Sequence, residues 1–280
     1  MVQNKKIKYV YPQLSSYDLG WFRISGAGLA NCMFVAARAY ILSEKYKCKF
    51  IAPTWSKFSI GPILRKEKDK RIYFRLFRNM GITGVLKLWL IIKSLFNSTE
   101  IYSVRGLGNY FVDLNENYHA VRIYYDRIIR KDVIKSVNPD ELKNIVAVHI
   151  RLGDYIPSLR VNISWYKLLI EDILQKYPKQ KFYVFSDGTD EELQSVLSLN
   201  NVKRKFYGNA LADMYAISKC KLLIASDSTF SAWGSYLGYV PIIFNKRHFP
   251  PIYGTDEKEA VIGDNTNLPI QFEYLFLKDK

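Results

Sequence analysis

The run "NIVAVHIRLGDY", residues 144–155, indicates the fold class of this chain. Its first half is a continuous apolar run, which is typical of a strand buried on both faces of a parallel sheet. The run then gives way to His149, Arg151, Gly153 and Asp154. Because ligands bind outside the carboxyl ends of the strands in open parallel α/β sheets, this charged end predicts a ligand site.

The same pattern repeats through the C-terminal half. Further strands are predicted at "KFYVFSD" (181–187), "KLLIASD" (221–227) and "VPIIFN" (240–245). Helices are predicted between them, from "SWYKLLIEDILQKY" (164–177), "TDEELQSVLSL" (189–199), "DMYAISKC" (213–220) and "FSAWGSYLGY" (230–239). Apolar strands alternating with helices indicate an α/β fold whose parallel sheet is covered on both faces.

The N-terminal half begins a second α/β unit. In "GAGLANCMFVAARAYILSEKYKCKFIAP" (26–53), a Gly-rich turn precedes a predicted helix over 29–46 and a short strand. We place the domain boundary between residues 140 and 141, within "NPDELKN" (138–144). Residues 56–110 are predicted to form a basic helical insertion in the first domain. That segment is either an amphipathic element on a membrane surface or a helical region with a solvated basic face.

Composition limits the classes of function. The chain has 280 residues, of which 49% are hydrophobic, and this content excludes intrinsic disorder. A net charge of +15 predicts an anionic partner: nucleic acid, an anionic membrane or a phosphorylated small molecule. Cys32, Cys48 and Cys220 lack paired spacing, which indicates reduced thiols in a cytosolic protein and no metal site. The most apolar window, residues 81–96, is too short to span a bilayer.

Three predicted strands end in polar clusters at the same sheet edge. The clusters comprise Arg151 with Gly153 and Asp154, then Ser186 with Asp187, then Ser226, Asp227, Ser228 and Thr229 directly before a helix. An arginine can clamp a phosphate, and a helix N-terminus offers N–H groups to a second phosphate oxygen. Together they suit a pyrophosphate, although each cluster alone also fits a surface turn or a helix cap.

Four segments in order carry a family resemblance. "GAGLANCMFVAARAYILSEKY", "HIRLGDY", "VFSD" and "DMYAISKCKLLIASDSTFSAWGSYLG" together resemble glycosyltransferase family 11, the alpha-1,2-fucosyltransferases. The resemblance implies a GT-B fold, with two Rossmann-like domains facing across a cleft and parallel sheets, the C-terminal one binding the nucleotide sugar. It implies an inverting fucosyltransferase that uses GDP-fucose without a cofactor or divalent metal. The implied acceptor is a hydroxyl, such as the galactose 2-OH, of a cell-surface glycan or polysaccharide precursor.

The resemblance also implies roles for residues of this chain. Arg151 would contact the donor diphosphate and stabilise the departing GDP, with His149 and Asp154 supporting that catalytic site, and Asp187 would approach the guanosine. The implied donor-binding set is Gly28, Asn31, Arg151, Ser186, Asp187, Ser228, Thr229, Phe230 and Ser231. The general base is open between Asp154, which we favour, His149 and Asp18, and a dissociative mechanism without a strong base is also open.

The chain departs from the family pattern at several positions. Leu152 replaces a second arginine, Cys32 a glutamine and Asp227 an asparagine, with further changes at Ala30 and Ala232. These departures keep open a different GDP-deoxyhexose donor and an inactive member that only binds nucleotide sugar. Acidic residues at the strand ends argue against nucleic-acid binding. The favoured interpretation is a cytoplasmic enzyme acting on a lipid-linked oligosaccharide at the inner face of the plasma membrane, with the positive charge also serving peripheral contact with anionic lipid.

Overall fold

The chain divides into two compact units, Met1–Val133 and Ile134–Lys280. The structure is a computed structural model that describes residues 7–58, 64, 71–96, 99–153, 155, 157–255 and 257–279. The division falls between residues 133 and 134 rather than between 140 and 141. The short helix Pro139–Leu142 leads directly into the first strand of the second sheet, so it belongs with the second unit.

The first unit contains a small parallel sheet. Its elements are β1 (Tyr9–Pro12), β2 (Tyr17–Asp18), β3 (Arg23–Ile24), α1 (Leu29–Tyr46), β4 (Lys49–Phe50), β5 (Lys57–Phe58), α2 (Gly84–Leu95), β6 (Ile101–Val104), α3 (Val112–Asn115) and α4 (Tyr118–Ile128). The parallel sheet has the order β4-β1-β6, and β2-β3-β5 form a second, mixed sheet. Helix α1 spans the predicted residues 29–46.

The basic insertion predicted over residues 56–110 is helical over a smaller range. Among its described residues, α2 is the long helix, whereas β6 pairs with β1 over four residues and is part of the sheet. The first and last residues of β6, Ile101 and Val104, are buried, which fits a strand packed in the sheet. Residues 59–63, 65–70 and 97–98 of the predicted insertion lie outside the described residues.

The second unit contains a six-stranded sheet. Its elements are α5 (Pro139–Leu142), β7 (Ile145–Ile150), a 3₁₀ turn (Pro157–Leu159), α6 (Ile163–Lys176), β8 (Lys181–Ser186), α7 (Asp190–Leu197), β9 (Val202–Arg204), α8 (Ala210–Ile217), β10 (Leu222–Ala225), α9 (Thr229–Gly238), β11 (Ile242–Phe244), β12 (Glu259–Val261) and a 3₁₀ segment (Ile270–Asp279). Every strand pair is parallel, in the order β12-β11-β10-β7-β8-β9. This is the doubly wound order of a Rossmann fold, whose direction of winding reverses between β7 and β10.

Local sequence explains where these helices start. A side-chain oxygen at each N-cap accepts a hydrogen bond from a backbone N–H two or three residues later; the caps of α5 to α9 are Asn138, Asn162, Thr189, Asn209 and Ser228. All six residues of β7 are buried, as its apolar run predicts. The inward face of α6 covers the sheet with Trp165, Tyr166, Leu169, Ile170 and Ile173. Within the described ranges, no helix combines the length and apolar content that crossing a membrane requires.

Candidate functional site

The reversal point of the sheet lies between the carboxyl ends of β7 and β10. His149 of β7 is paired with Ala225 of β10, and the backbone N–H of Ser226 donates to the His149 carbonyl at 2.9 Å. In open α/β sheets the crevice at this point is where a ligand binds. Two of the polar strand ends singled out in the sequence therefore meet at the position that the topology favours for a ligand.

The Ser226 hydroxyl ties the two strand ends together. Its Oγ donates to the His149 carbonyl at 2.9 Å, accepts from the Arg151 N–H at 2.7 Å and contacts the Tyr166 hydroxyl at 2.9 Å. Because Ser226 donates its single hydroxyl proton to the His149 carbonyl, the Tyr166 hydroxyl is the donor in the third contact. Ser226 is buried and its hydrogen-bonding capacity is filled, so it positions the backbone of Arg151.

The Arg151 side chain is held by Asp187 at the end of β8. Nη1 of Arg151 lies 2.8 Å from Oδ2 of Asp187, while Oδ1 accepts the N–H groups of Leu152 at 2.8 Å and Gly153 at 3.1 Å. Burial alone would raise the pKa of Asp187, but the Arg151 guanidinium and the two N–H groups outweigh it and hold that pKa below its usual range. The carboxylate thus fixes both the guanidinium and the turn after β7. Its role toward guanosine stays a prediction.

His149 is buried beside the same pair. Its Nδ1 lies 2.6 Å from Oγ of Ser231, and its ring packs on Phe230 with centroids 4.8 Å apart. Burial lowers the pKa of His149 to about 4, with Arg151 adding to the effect and Asp187 opposing it. The imidazole is therefore neutral at pH 7 and joins β7 to the start of α9.

The N-terminus of α9 lies directly after β10. Ser228 caps it by accepting the Phe230 N–H at 3.2 Å. Ser228 and Ser231 are buried, and Phe230 is half-buried. Ser231, predicted to lie against the donor, contacts His149 and supports the site through that ring. Thr229 occupies the first position of the helix, where backbone N–H groups attract anions.

Asp227, which replaces the family asparagine, contacts two residues that sequence reasoning did not assign. Its Oδ1 accepts the backbone N–H of His248 at 3.0 Å and lies 2.6 Å from Nδ1 of the same residue. Its carbonyl accepts the Tyr155 hydroxyl at 3.1 Å, and the Tyr155 ring lies 5.5 Å from the Arg151 guanidinium carbon. No spacing rule links these positions, which come together only through the fold.

The remaining predicted residues of the second unit are placed as follows. Ser186 accepts the Gly188 N–H at 3.0 Å and so shapes the turn after β8. Leu152, which replaces the second arginine of the family motif, is buried in the core of the unit and packs where a Cβ on Gly188 would clash. Because the Leu152 side chain packs among apolar core residues, an apolar residue suits this position. Asp154 lies outside the described residues.

In the first unit, the turn before α1 is organised by Arg23, a residue that sequence reasoning missed. Its fully buried guanidinium donates to the Ser25 and Ala27 carbonyls at 2.8 and 3.2 Å and contacts Cys32 Sγ at 3.1 Å. Burial raises the pKa of the Cys32 thiol, while Arg23 opposes that rise. The cysteine that replaces the family glutamine is therefore part of the shell around Arg23.

Gly28 and Asn31, predicted to bind the donor, lie at the start of α1. Gly28 is the N-cap and has no side chain to satisfy the first N–H groups; the Leu29 N–H donates to the Tyr73 hydroxyl at 3.1 Å instead. Asn31 is half-buried in the first turn. Asp18, an alternative general base, accepts the Tyr11 hydroxyl at 2.6 Å and the Gly20 N–H at 2.8 Å.

Metal ligands do not assemble in the described part of the chain. There, no three His, Cys, Asp or Glu side chains come together in a group that could hold a metal ion. Arg151 brings a positive charge to the reversal point.

Comparison with known proteins decides the family. The family model described as "Glycosyl transferase family 11" matches residues 109–243 of this chain. The O-antigen biosynthesis glycosyltransferase WbnK of Escherichia coli is 30% identical in an alignment 273 residues long, and the match covers 75% of this chain and 87% of that protein. This chain belongs to glycosyl transferase family 11. The alpha-1,2-colitosyltransferase of Escherichia coli is 24% identical in an alignment 254 residues long, and the match covers 84% of this chain and 78% of that protein.

A solved structure supports the fold. The NodZ alpha-1,6-fucosyltransferase, in crystals soaked with GDP-fucose, superposes with a TM-score of 0.51 at 14% identity, covering 85% of this chain and 94% of that chain. The family 11 chain is thus a glycosyltransferase with the GT-B type of fold, built from two α/β units with parallel sheets. The predicted family and fold class are confirmed.

Proposed function

We propose that this family 11 protein transfers L-fucose from GDP-fucose to a hydroxyl of an O-antigen or related glycan precursor, with inversion at the anomeric carbon and without a metal. The observation that carries the proposal is the placement of Arg151 and the N-terminus of α9 at the reversal point of a doubly wound sheet. A diphosphate there would meet a guanidinium on one side and helix N–H groups on the other. The relatives named above support the substrate class, since one carries O-antigen biosynthesis in its name.

The reaction needs stabilisation of negative charge on the leaving group. The acceptor oxygen attacks the anomeric carbon from the face opposite GDP, and the bond from that carbon to the phosphate oxygen breaks with its electron pair leaving on GDP. Arg151 would balance the charge that develops on the diphosphate. Because Asp187 already orients the guanidinium, Arg151 is ordered before the donor arrives.

The acceptor proton must pass to a base. His149 is a poor candidate, because it is buried and its Nδ1 is engaged by Ser231. We therefore propose Asp154 as the base, with His149 as a neutral positioning residue. Replacing Asp154 with Asn should lower kcat while leaving the affinity for GDP unchanged, and an unchanged kcat would exclude Asp154 from this role.

The direct test is calorimetric titration with GDP, and with UDP and ADP as controls, in buffer without metal. The proposal predicts binding of GDP and at least about tenfold weaker binding of the other two, which corresponds to about 1.4 kcal/mol. Equal affinity for all three would contradict a GDP-sugar donor.

A second donor remains a specific alternative because one relative is named for colitosyl transfer. That relative matches 84% of this chain, and the departures at Cys32 and Asp227 lie in the family motifs. Competition between GDP-fucose and a second GDP-deoxyhexose, each supplied with the same acceptor, would separate the two candidates. The donor with the higher kcat/KM is the substrate. Binding of both without transfer would indicate an inactive member of the family.

A further inference from the structure

Helix α2 (Gly84–Leu95) is apolar on its exposed face as well as on its buried face. Its buried face consists of Lys87, Leu90 and Ile91. The exposed positions of α2 and its C-cap, apart from Gly84, are all large and apolar: Val85, Leu86, Trp89, Ile92, Leu95 and Phe96. Surface helices of globular proteins normally carry charged and polar residues on their exposed face. Burial lowers the pKa of Lys87 to about 8, with Asp18 opposing the shift, so this helix places a lysine inward while presenting a tryptophan to solvent.

The exposed residues form one stripe along the helix. Val85, Trp89, Ile92 and Phe96 are spaced at i, i+4, i+7 and i+11, which places them on a single face. Phe96 is 81% exposed, and Trp89 is more than half exposed. Lys93 borders this stripe, with its Nζ 5.0 Å from the centre of the Trp89 ring. A tryptophan with a lysine beside it is typical of side chains at the boundary between lipid and water.

The loop between β2 and β3 lies beside α2 and is apolar as well. A Cβ on Gly20 would lie 3.6 Å from Cδ1 of Leu88, so the loop and the helix are neighbours. The loop residues Leu19, Trp21 and Phe22 are also exposed. We call these three residues, together with the six exposed apolar residues of α2 and its C-cap, the apolar patch. Large exposed apolar residues gathered on two neighbouring segments mark an interaction surface.

Charge is distributed very unevenly between the two units. Residues 1–133 contain 23 Lys and Arg against 9 Asp and Glu, a net charge of +14, whereas residues 134–280 contain 18 against 17, a net charge of +1. The excess positive charge is therefore on the unit that carries the apolar patch and not on the unit that contains Arg151. The diphosphate site does not account for the charge of the protein.

We propose that the apolar patch inserts into the surface of an anionic phospholipid bilayer, with the basic first unit held against the lipid head groups. Apolar insertion and attraction to anionic lipid are the two forces that bind amphipathic helices to membranes. A second copy of the chain is a poorer partner, because two units of +14 would repel each other. This inference goes beyond the proposed reaction and does not depend on it.

The test is sedimentation of the full chain with sucrose-loaded vesicles. Vesicles of equal parts phosphatidylglycerol and phosphatidylcholine are compared with vesicles of phosphatidylcholine alone. Binding to the anionic vesicles, weakened by added salt, is expected. Absence of binding, or equal binding to both kinds of vesicle, would overturn the proposal.

The chain offers a matched pair of variants. Ile92 on α2 and Ile123 on α4 are both in the first unit and are 48% and 47% exposed. Ile92→Gln should reduce the partition constant about fivefold and Trp89→Gln/Ile92→Gln more than about tenfold, whereas Ile123→Gln should leave it nearly unchanged. Circular dichroism checks that each variant is folded. Equal effects of Ile92→Gln and Ile123→Gln would contradict insertion through this face.

Two further measurements separate the alternatives. If size-exclusion chromatography shows a concentration-dependent dimer that Trp89→Gln/Ile92→Gln abolishes, and vesicles do not bind, the occupant is a second copy and the lipid proposal is wrong. GDP titration of the same variants should give the affinity of the unaltered chain. Vesicle binding without GDP binding would leave the membrane inference standing and refute the proposed reaction instead.

Discussion

Replacing Arg151 with Ala should have two separable effects, on stability and on donor binding. The substitution leaves Asp187 without its guanidinium partner in a site where both side chains are about one-fifth exposed. A fully buried pair broken in this way costs about 3–5 kcal/mol, and an exposed pair contributes about 0–1 kcal/mol. Because Asp187 keeps the N–H groups of Leu152 and Gly153, we expect a loss of about 1–2 kcal/mol in the free energy of unfolding.

The effect on binding should be larger. A guanidinium that donates to a diphosphate makes charge-assisted hydrogen bonds, each contributing about 1.5–3 kcal/mol, so GDP affinity should fall roughly 10- to 150-fold. The kcat/KM for the donor should fall by at least the same factor, since the charge on the leaving group grows in the transition state.

A double variant separates the two effects. In Arg151→Ala/Asp187→Asn no carboxylate is left unpaired, and the amide oxygen can still accept the two backbone N–H groups. Stability measured by urea unfolding should therefore return to within about 0.5 kcal/mol of the unaltered chain, while GDP binding stays weak. Arg130→Ala, which breaks an exposed pair with Asp132, is the matched control and should change neither quantity measurably. Recovery of GDP affinity in the double variant would refute the phosphate role of Arg151 and leave it a structural one.

Three other outcomes are expected. Because the pKa of His149 is near 6.5 in the unfolded chain and about 4 in the folded one, the unfolded state binds more protons between those values. The free energy of unfolding should thus fall as pH drops from about 6.5 to 4, by up to about 1.4 kcal/mol per pH unit. In His149→Asn, urea unfolding at a series of pH values should no longer show this dependence on pH. The same dependence in the variant and the unaltered chain would mean that His149 is not its source. In Gly153→Ala the new Cβ would approach Oδ2 of Asp187 to 2.6 Å and displace it from Arg151, so calorimetry should show weaker GDP binding; unchanged affinity would mean that this contact is irrelevant. Transfer assays should give the same rate with and without EDTA, and a loss restored by Mg²⁺ would contradict the metal-free mechanism.

The sequence predicted most strands and helices of the second unit because their apolar runs are continuous. It missed β9 and β12, since "VKR" and "EAV" are only three residues long and carry no apolar pattern. The order of the strands in the sheet could not be predicted from the sequence either. Parallel pairing follows from buried strands, but nothing local specifies that β7 lies between β8 and β10.

Side-chain roles were harder to predict than elements. The residue types around the strand ends indicated an anion site, yet Ser226 and Ser231 face the protein and act through neighbours. Arg23 gave no signal, because a fully buried arginine looks like any surface arginine in a sequence. The segment that forms α2 was recognised as apolar. Which of its faces is buried depends on what packs against it, and no periodicity in the sequence predicted that Lys87 would be buried.

The order of strands in the second sheet has a consequence for synthesis on the ribosome. Strand β7 is made first, but its neighbour β10 is the fourth strand of the unit, and the Arg151 N–H meets the Ser226 hydroxyl 75 residues later in the chain. At about 5–20 residues per second, that interval lasts roughly 4–15 s. Throughout it, the edge of the central strand that β10 will cover stays unpaired. The nascent chain is therefore open to mispairing along this edge until the strand that completes the site emerges.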